Sequence, residues 1–167
     1  MIIMGLDGSF AKSGITVSKC SEKGIKILYT ELFKTNKDLE PIERITESIN
    51  QIYNVYKKYK VDLIIKEAAI MGRSSTGLPV IKFHGALEYF CNDNTIPLEE
   101  IHNQTIKAFA RKLVNDKTFD KKKVVAKGNE IYFNKEIEEQ YTPRGRLLDD
   151  IADSIMITII YFENNLK

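Results

Sequence analysis

The stretch Ile2-Ile3-Met4-Gly5-Leu6-Asp7-Gly8 decides how this chain is read. Its apolar residues crowd together and lead straight to one aspartate. A run this short and this apolar suits a strand buried on both faces. Asp7 then stands where the apolar run stops. Carboxylates are rarely buried unless they are paired or bound to a cation. Gly5 and Gly8 flank Asp7, so backbone or ligand can approach closely on either side. By itself the pattern favours an ordinary turn aspartate before a glycine, and the remainder of the chain has to move that reading.

Downstream, Gly8 to Ser13 reads as a turn and Gly14 to Ser18 as a second strand, with Ile15 and Val17 alternating. Lys23-Gly24 makes a turn into a third strand, Ile25 to Phe33. Three strands joined by tight turns predict an antiparallel meander. Pro41 can open a helix, and Ile42, Ile45, Ile49, Ile52 and Val55-Tyr56 keep helical spacing to about Tyr59. Val61 to Ile65 is a second short β-branched run, and it leads into Lys66-Glu67. Gly72 to Gly77 reads as a flexible loop, and Leu78 to Phe90 as a helix with Val80, Ile81, His84, Leu87 and Phe90 inward. Pro97 to Ile101 reads as a fifth strand. Helices are expected over Ile106 to Val114, Lys121 to about Phe133 and Leu147 to Phe162, with a polar loop from Asn134 to Arg146. This order predicts one α/β domain, residues 1–167, with a mixed five-stranded sheet flanked by helices.

Composition narrows the function. Hydrophobic residues make up 43% of the chain, enough for a core, and no apolar run is long enough to span a bilayer. The beginning of the chain carries no basic segment followed by an apolar core, so a cytoplasmic protein with no membrane partner is expected. Cys20 and Cys91 form no metal-like spacing and are expected to be free thiols. His84 and His102 are too few and too far apart for a zinc site. The net charge is only +2, but Lys107, Arg111, Lys112, Lys117 and Lys121-Lys122-Lys123 fall in one segment. Such clustering fits a phosphate-backbone surface, and equally a solvated face of a lysine-rich protein.

The acids carry the chemistry. Asp7 and Glu67 each end a predicted buried strand. On the last helix Asp150 and Asp153 share a face by three-residue spacing, and Asp149 and Asp153 by four, so periodicity leaves Asp149 and Asp150 open. Several carboxylates gathered in one place repel one another and raise their own pKa values. A hard divalent cation removes that conflict, and oxygen-only ligation suits magnesium or manganese. The cluster therefore reads as the protein half of a two-metal phosphodiester site.

At these residues the chain resembles the RuvC family of Holliday junction resolvases, within the RNase H-like fold. Met4-Gly5-Leu6-Asp7-Gly8-Ser9 with Ser13-Gly14 resembles the family's opening strand and turn. Ile64-Ile65-Lys66-Glu67 resembles its strand ending in the catalytic glutamate, and Asp150-Ile151-Ala152-Asp153-Ser154 its closing acidic helix. The resemblance selects Asp150 over Asp149. It implies Asp7, Glu67, Asp150 and Asp153 as catalytic, metal-binding acids holding two Mg2+ ions, with Mn2+ as a substitute. Thr105-Ile106-Lys107 and Lys121-Lys122-Lys123-Val124-Val125 resemble the family's lysine-bearing segments. The catalytic lysine is assigned to Lys122, with Lys107, Lys121 and Lys123 as further DNA contacts.

Two departures matter. Gly8-Ser9 stands where bacterial members have Pro-Gly, and Ile70 stands where they have an aromatic residue three positions after the glutamate. An aliphatic side chain stacks on bases less well than a ring. Ile70 and Arg73 are nonetheless assigned to the DNA contact. These changes resemble a phage-encoded branch, which would act in the host cytoplasm. The implied activity is a structure-selective endonuclease of recombination and repair. It would cut four-way junctions, and possible further substrates are forks and flaps. A homodimer making paired nicks is expected, with the apolar helix Leu78 to Phe90 as its seam. The competing readings are a non-catalytic branched-DNA-binding relative, an actin-like or sugar-kinase-like ATPase, and an α/β domain with no role on DNA. The ATPase needs two lobes that 167 residues do not provide.

Overall fold

The structure is a computed structural model and describes residues 1–69 and 77–167. The strands are β1 (Ile2–Gly8), β2 (Lys12–Ser21), β3 (Gly24–Lys34), β4 (Leu63–Glu67) and β5 (Leu98–Ile101). The helices are α1 (Pro41–Tyr59), α2 (Gly77–Asp93), α3 (Asn103–Val114), α4 (Val124–Phe133) and α5 (Asp149–Asn165). The strands form one sheet in the order β3-β2-β1-β4-β5. β1 and β3 each run antiparallel to β2, whereas β1–β4 and β4–β5 are parallel.

The central pair, β1 and β4, explains the apolar runs. Side chains alternate across a strand, so both faces of these strands need apolar residues if both are covered. Ile3, Leu63 and Ile65 pack on one face with residues of α3, α4 and α5. Met4, Leu6 and Ile64 pack on the other with residues of α1 and α2. α5 lies between the sheet and its neighbours α3 and α4, so its burial extends nearly all round, from Ile151 to Phe162.

Two glycines let α5 lie directly on the sheet. A Cβ on Gly5 would stand 2.2 Å from the Ser154 carbonyl oxygen, and one on Gly14 would stand 2.1 Å from that of Asp150. Any side chain there would push the acidic end of α5 off the sheet. The contact is completed by buried hydroxyls. Thr16 and Ser154 lie 2.7 Å apart, and Ser18 donates to Thr158 at 3.1 Å. Paired hydroxyls satisfy one another where larger side chains would not fit.

Several expected boundaries move. β2 begins at Lys12, inside the predicted turn. α3 begins at Asn103, because the His102 carbonyl already accepts from the Thr105 and Ile106 amides. That first turn is polar and leaves no apolar periodicity to read. Lys121 to Lys123 form a turn before α4: the Asp120 carboxylate accepts from the Lys122 amide and its carbonyl from the Lys123 amide. The predicted loop Asn134 to Arg146 contains a short 3-10 turn, Glu138–Gln140, and Tyr141 bridges to Leu147. The Asn129 side-chain amide donates to Gln140 Oε1 at 2.6 Å and to the Ala152 carbonyl at 2.9 Å. The Leu148 amide then donates to the Gln140 carbonyl at 2.8 Å, which fixes where α5 starts. On α2 the inward residues are Phe83, His84, Leu87 and Cys91, whereas Ile81 is exposed, contrary to the predicted face.

Candidate active site

The site forms at the carboxyl end of the parallel pair β1–β4. Their register pairs Leu6 with Lys66, so the next residues, Asp7 and Glu67, come side by side. Both continue the face occupied by Gly5 and Ile65, which is the face under α5. Asp153 projects from the second turn of α5. A carboxylate oxygen from each of Asp7, Glu67 and Asp153 lies within 4.8 Å of the other two. Glu67 is buried, and the other two are half-buried. α3 begins beside Glu67 and α5 beside the aspartates, and the partial positive charge of a helix N-terminus favours anions there.

The electrostatics are unbalanced. Burial, followed by the charges of Glu67, Asp153 and Asp150, raises the Asp7 carboxyl well above its ordinary value. Asp153 is pushed up to about 7, by burial first and then by Glu67, with Lys107 pulling the other way. Carboxylates in this state hold protons until a cation replaces them. The donor set is oxygen only and converges on one point, which fits a hard divalent ion held by Asp7, Glu67 and Asp153.

Asp150 stands apart from those three. It lies one turn from Asp153, mostly buried, and its carboxylate pairs with the Lys12 ammonium. Lys12 also lies 3.8 Å from Asp149, whose side chain is 75% exposed. Burial works against the charge on Lys12, but the hydrogen bond and charge of Asp150, with Asp149 and Asp7, outweigh it and hold the Lys12 pKa above its ordinary value.

Of the basic segment, Lys107 and Lys121 to Lys123 line one cleft, and Arg111, Lys112 and Lys117 are not among its lining residues. Lys107, Lys121, Lys122 and Lys123 border a concavity of about 670 Å³ with Arg146, Asp149 and Asp153. On the other side of the acids, Asp7, Ser9, Glu67 and His84 line a smaller one of about 250 Å³. Ile70 and Arg73 lie outside the described residues.

Sequence reasoning missed three polar residues. The Asn103 side-chain amide donates to Glu67 Oε1 and fixes that carboxylate. Its only signal was its place between a strand and a helix. Lys12 was hidden in the predicted turn, although it sits two residues before Gly14, on the same face of β2. Arg146 ends the predicted polar loop, where its sequence neighbours give it no role, yet it lines the cleft.

No protein-family model matches the chain. Among curated proteins it is 27% identical over 107 residues to the crossover junction endodeoxyribonuclease RuvC of Prochlorococcus marinus (strain MIT 9211), 64% of this chain and 68% of that one. It is 22% identical to RuvC of Brachyspira hyodysenteriae over 99% of this chain and 96% of that one. Among solved structures, T. thermophilus RuvC in complex with a Holliday junction substrate superposes with a TM-score of 0.74 at 16% identity, covering 98% of this chain and 95% of that one. The fowlpox virus Holliday junction resolvase gives 0.57 at 17% identity, covering 98% and 99%.

The strand order and the acids at the end of the parallel pair define an RNase H-like fold with a candidate metal site. More particularly, the chain is similar in sequence and in fold to the RuvC Holliday junction resolvases.

Proposed function

We propose that the chain, residues 1–167 as one nuclease domain, is a divalent-metal-dependent endonuclease that resolves Holliday junctions and other branched DNA. The observation that carries this reading is a trio of mutually repelling acids, Asp7, Glu67 and Asp153, beside a lysine-lined cleft. A non-catalytic relative would have no use for that electrostatic strain. The names of the similar proteins support the same activity.

Asp7, Glu67 and Asp153 hold the first ion, and Asp150 adds the ligand for a second. Bound magnesium, with manganese as substitute, supplies positive charge for the attacking and leaving oxygens of phosphodiester hydrolysis. Asn103, which donates to Glu67, would hold that carboxylate in place for the ion. Lys107 and Lys121 to Lys123 take the DNA backbone, and Lys122 stabilises charge on the scissile phosphate. Ile70 and Arg73 extend the DNA contact.

A four-way junction needs two symmetric incisions, and this chain carries one acid trio among the described residues. A two-fold homodimer supplies the second. Leu78, Ile81 and Tyr89 are exposed along the outer face of α2, at helical spacing with Gly85, and form the seam. Phe83 and Leu87 are fully buried and belong to the core, so they are excluded from it.

The test is magnesium-dependent nicking of a synthetic four-way junction against linear duplex, with Asp7→Asn as control. A mixed dimer with one Asp7→Asn subunit should convert a cruciform plasmid to open circles, where the normal dimer gives linear molecules. Equal cutting of linear duplex, or cutting by Asp7→Asn, would overturn the reading.

A further inference from the structure

Lys12 has no assigned part in the site, yet its ammonium already neutralises one of the four acids. It pairs with Asp150 and lies 3.8 Å from Asp149. Among the described residues no lysine or arginine forms an ion pair with the three other acids, and Lys107 acts on Asp153 through its charge alone. The described residues thus divide the carboxylates into a trio with no ion-pair partner and an Asp150 that has one.

The placement of Lys12 is built into the fold. The Ser9 amide donates to the Lys12 carbonyl at 3.0 Å, and the Ser9 hydroxyl donates to the same carbonyl at 2.8 Å. The Lys12 amide donates back to Ser9 Oγ at 3.3 Å. Lys12 also pairs with Lys34 on β3. The backbone is therefore held at both sides while the side chain remains 41% exposed. An open concavity of about 240 Å³, bordered by Lys12, Lys34, Arg146, Asp149 and Asp150, gives the ammonium room to leave. A lysine stem swings between such positions at little cost, because it rotates freely and its head prefers water.

We propose that Lys12 is a tethered counter-ion for Asp150, a positioning residue that a second divalent cation must displace before it can bind. Among the described residues no ammonium is paired with the trio, so the first ion displaces none. Two like charges exclude each other from one carboxylate, so Lys12 sets the concentration at which the second ion enters. This inference rests on the metal-site reading given above.

The experiment is Mn2+ binding to the DNA-free full chain, followed by calorimetry and by the electron paramagnetic resonance signal of unbound Mn2+. The normal chain should show one tighter and one weaker ion. Lys12→Ala should tighten the weaker ion by about tenfold, a typical size for coupling between two sites, and leave the tighter one unchanged. Lys12→Arg should restore the normal weak affinity. Asp150→Asn should lose the weaker ion, and adding Lys12→Ala to it should then change nothing, because the coupling runs through that carboxylate. The tighter ion serves as the folding control in every variant. An unchanged weaker affinity in Lys12→Ala would overturn the proposal. So would an equal shift of the tighter ion, with or without Asp150, since that would be long-range charge alone. If Asp7→Asn kept the tighter ion, the metal-site reading itself would fall, and that outcome is separate from the other two.

Discussion

Lys66 and Glu67 are neighbours on β4, yet they serve two different charged clusters on opposite faces of one sheet. Lys66 is 2% exposed, and its ammonium lies 2.7 Å from Glu100 and 3.0 Å from Glu88. Glu67 points the other way, toward Asp7 and Asp153. In the first cluster two carboxylates compensate the one buried ammonium. The second gathers three carboxylates, and the charge of Lys107 offsets them only in part. A buried charge with its partner nearby is a structural device, whereas buried like charges are a site awaiting a cation.

The largest effect should come from breaking the second cluster. Asp153→Asn or Asp7→Asn should lower the rate of junction nicking in magnesium by about 10³-fold or more, while gel-shift affinity for the junction holds or rises. Normal cutting by Asp153→Asn would end the comparison, because both clusters would then be structural.

The first cluster should respond in stability and not through metal. Glu88→Gln with Glu100→Gln strips a buried ammonium of its partners and should cost about 3 kcal/mol in urea unfolding. Lys66→Met removes the charge and keeps the volume, so it should cost less than about 1 kcal/mol. Similar costs for the two variants would mean that packing, not charge, holds Lys66.

The two clusters should also oppose each other in pH. Asp153 titrates near 7 in the fold against an ordinary 3.8. The folded chain therefore binds more protons than the unfolded chain between those values, and its metal-free stability falls as pH rises through that window. The share of Asp153 in this fall should be about 2 kcal/mol after allowing for water in the cleft; Asp153→Asn should remove that share and leave the one from Asp7, and added magnesium should remove both. The hydrogen bond and charge of Lys66 hold Glu100 below its ordinary value, so that pair stabilises at neutral pH and weakens in acid. Thermal melts with and without chelator, from pH 4 to 8, separate the two signs. A chelated melting temperature that rises toward pH 8 would contradict the strain assigned to the acids.

The smallest effects belong to the cleft. Replacing Lys107, Lys121 or Lys123 with alanine should weaken junction binding by on the order of 1 kcal/mol and reduce the salt slope by about one. Lys122→Ala should lower the cleavage rate more than the affinity. Equal losses would make Lys122 another backbone contact.

The sequence by itself determined the element order, the helix Pro41–Tyr59 and the acids that end β1 and β4. Apolar runs and helical periods are local signals, and each of these features lies within one element. Tertiary structure decided the rest. Periodicity left Asp149 and Asp150 open; the resemblance chose Asp150, and the packing of α5 on Gly5 and Gly14 turns Asp150 inward while Asp149 faces solvent. The same packing separates Asp150 from the trio by giving it to Lys12, a residue 138 positions away. Asn103 reaches Glu67 only because β5 delivers the start of α3 beside β4. Polar partnerships such as Asn129 with Gln140 leave no periodic mark, because a buried polar group needs a particular partner and not a face. Composition and spacing can say which residues want burial or charge; only the assembled chain says which of them meet.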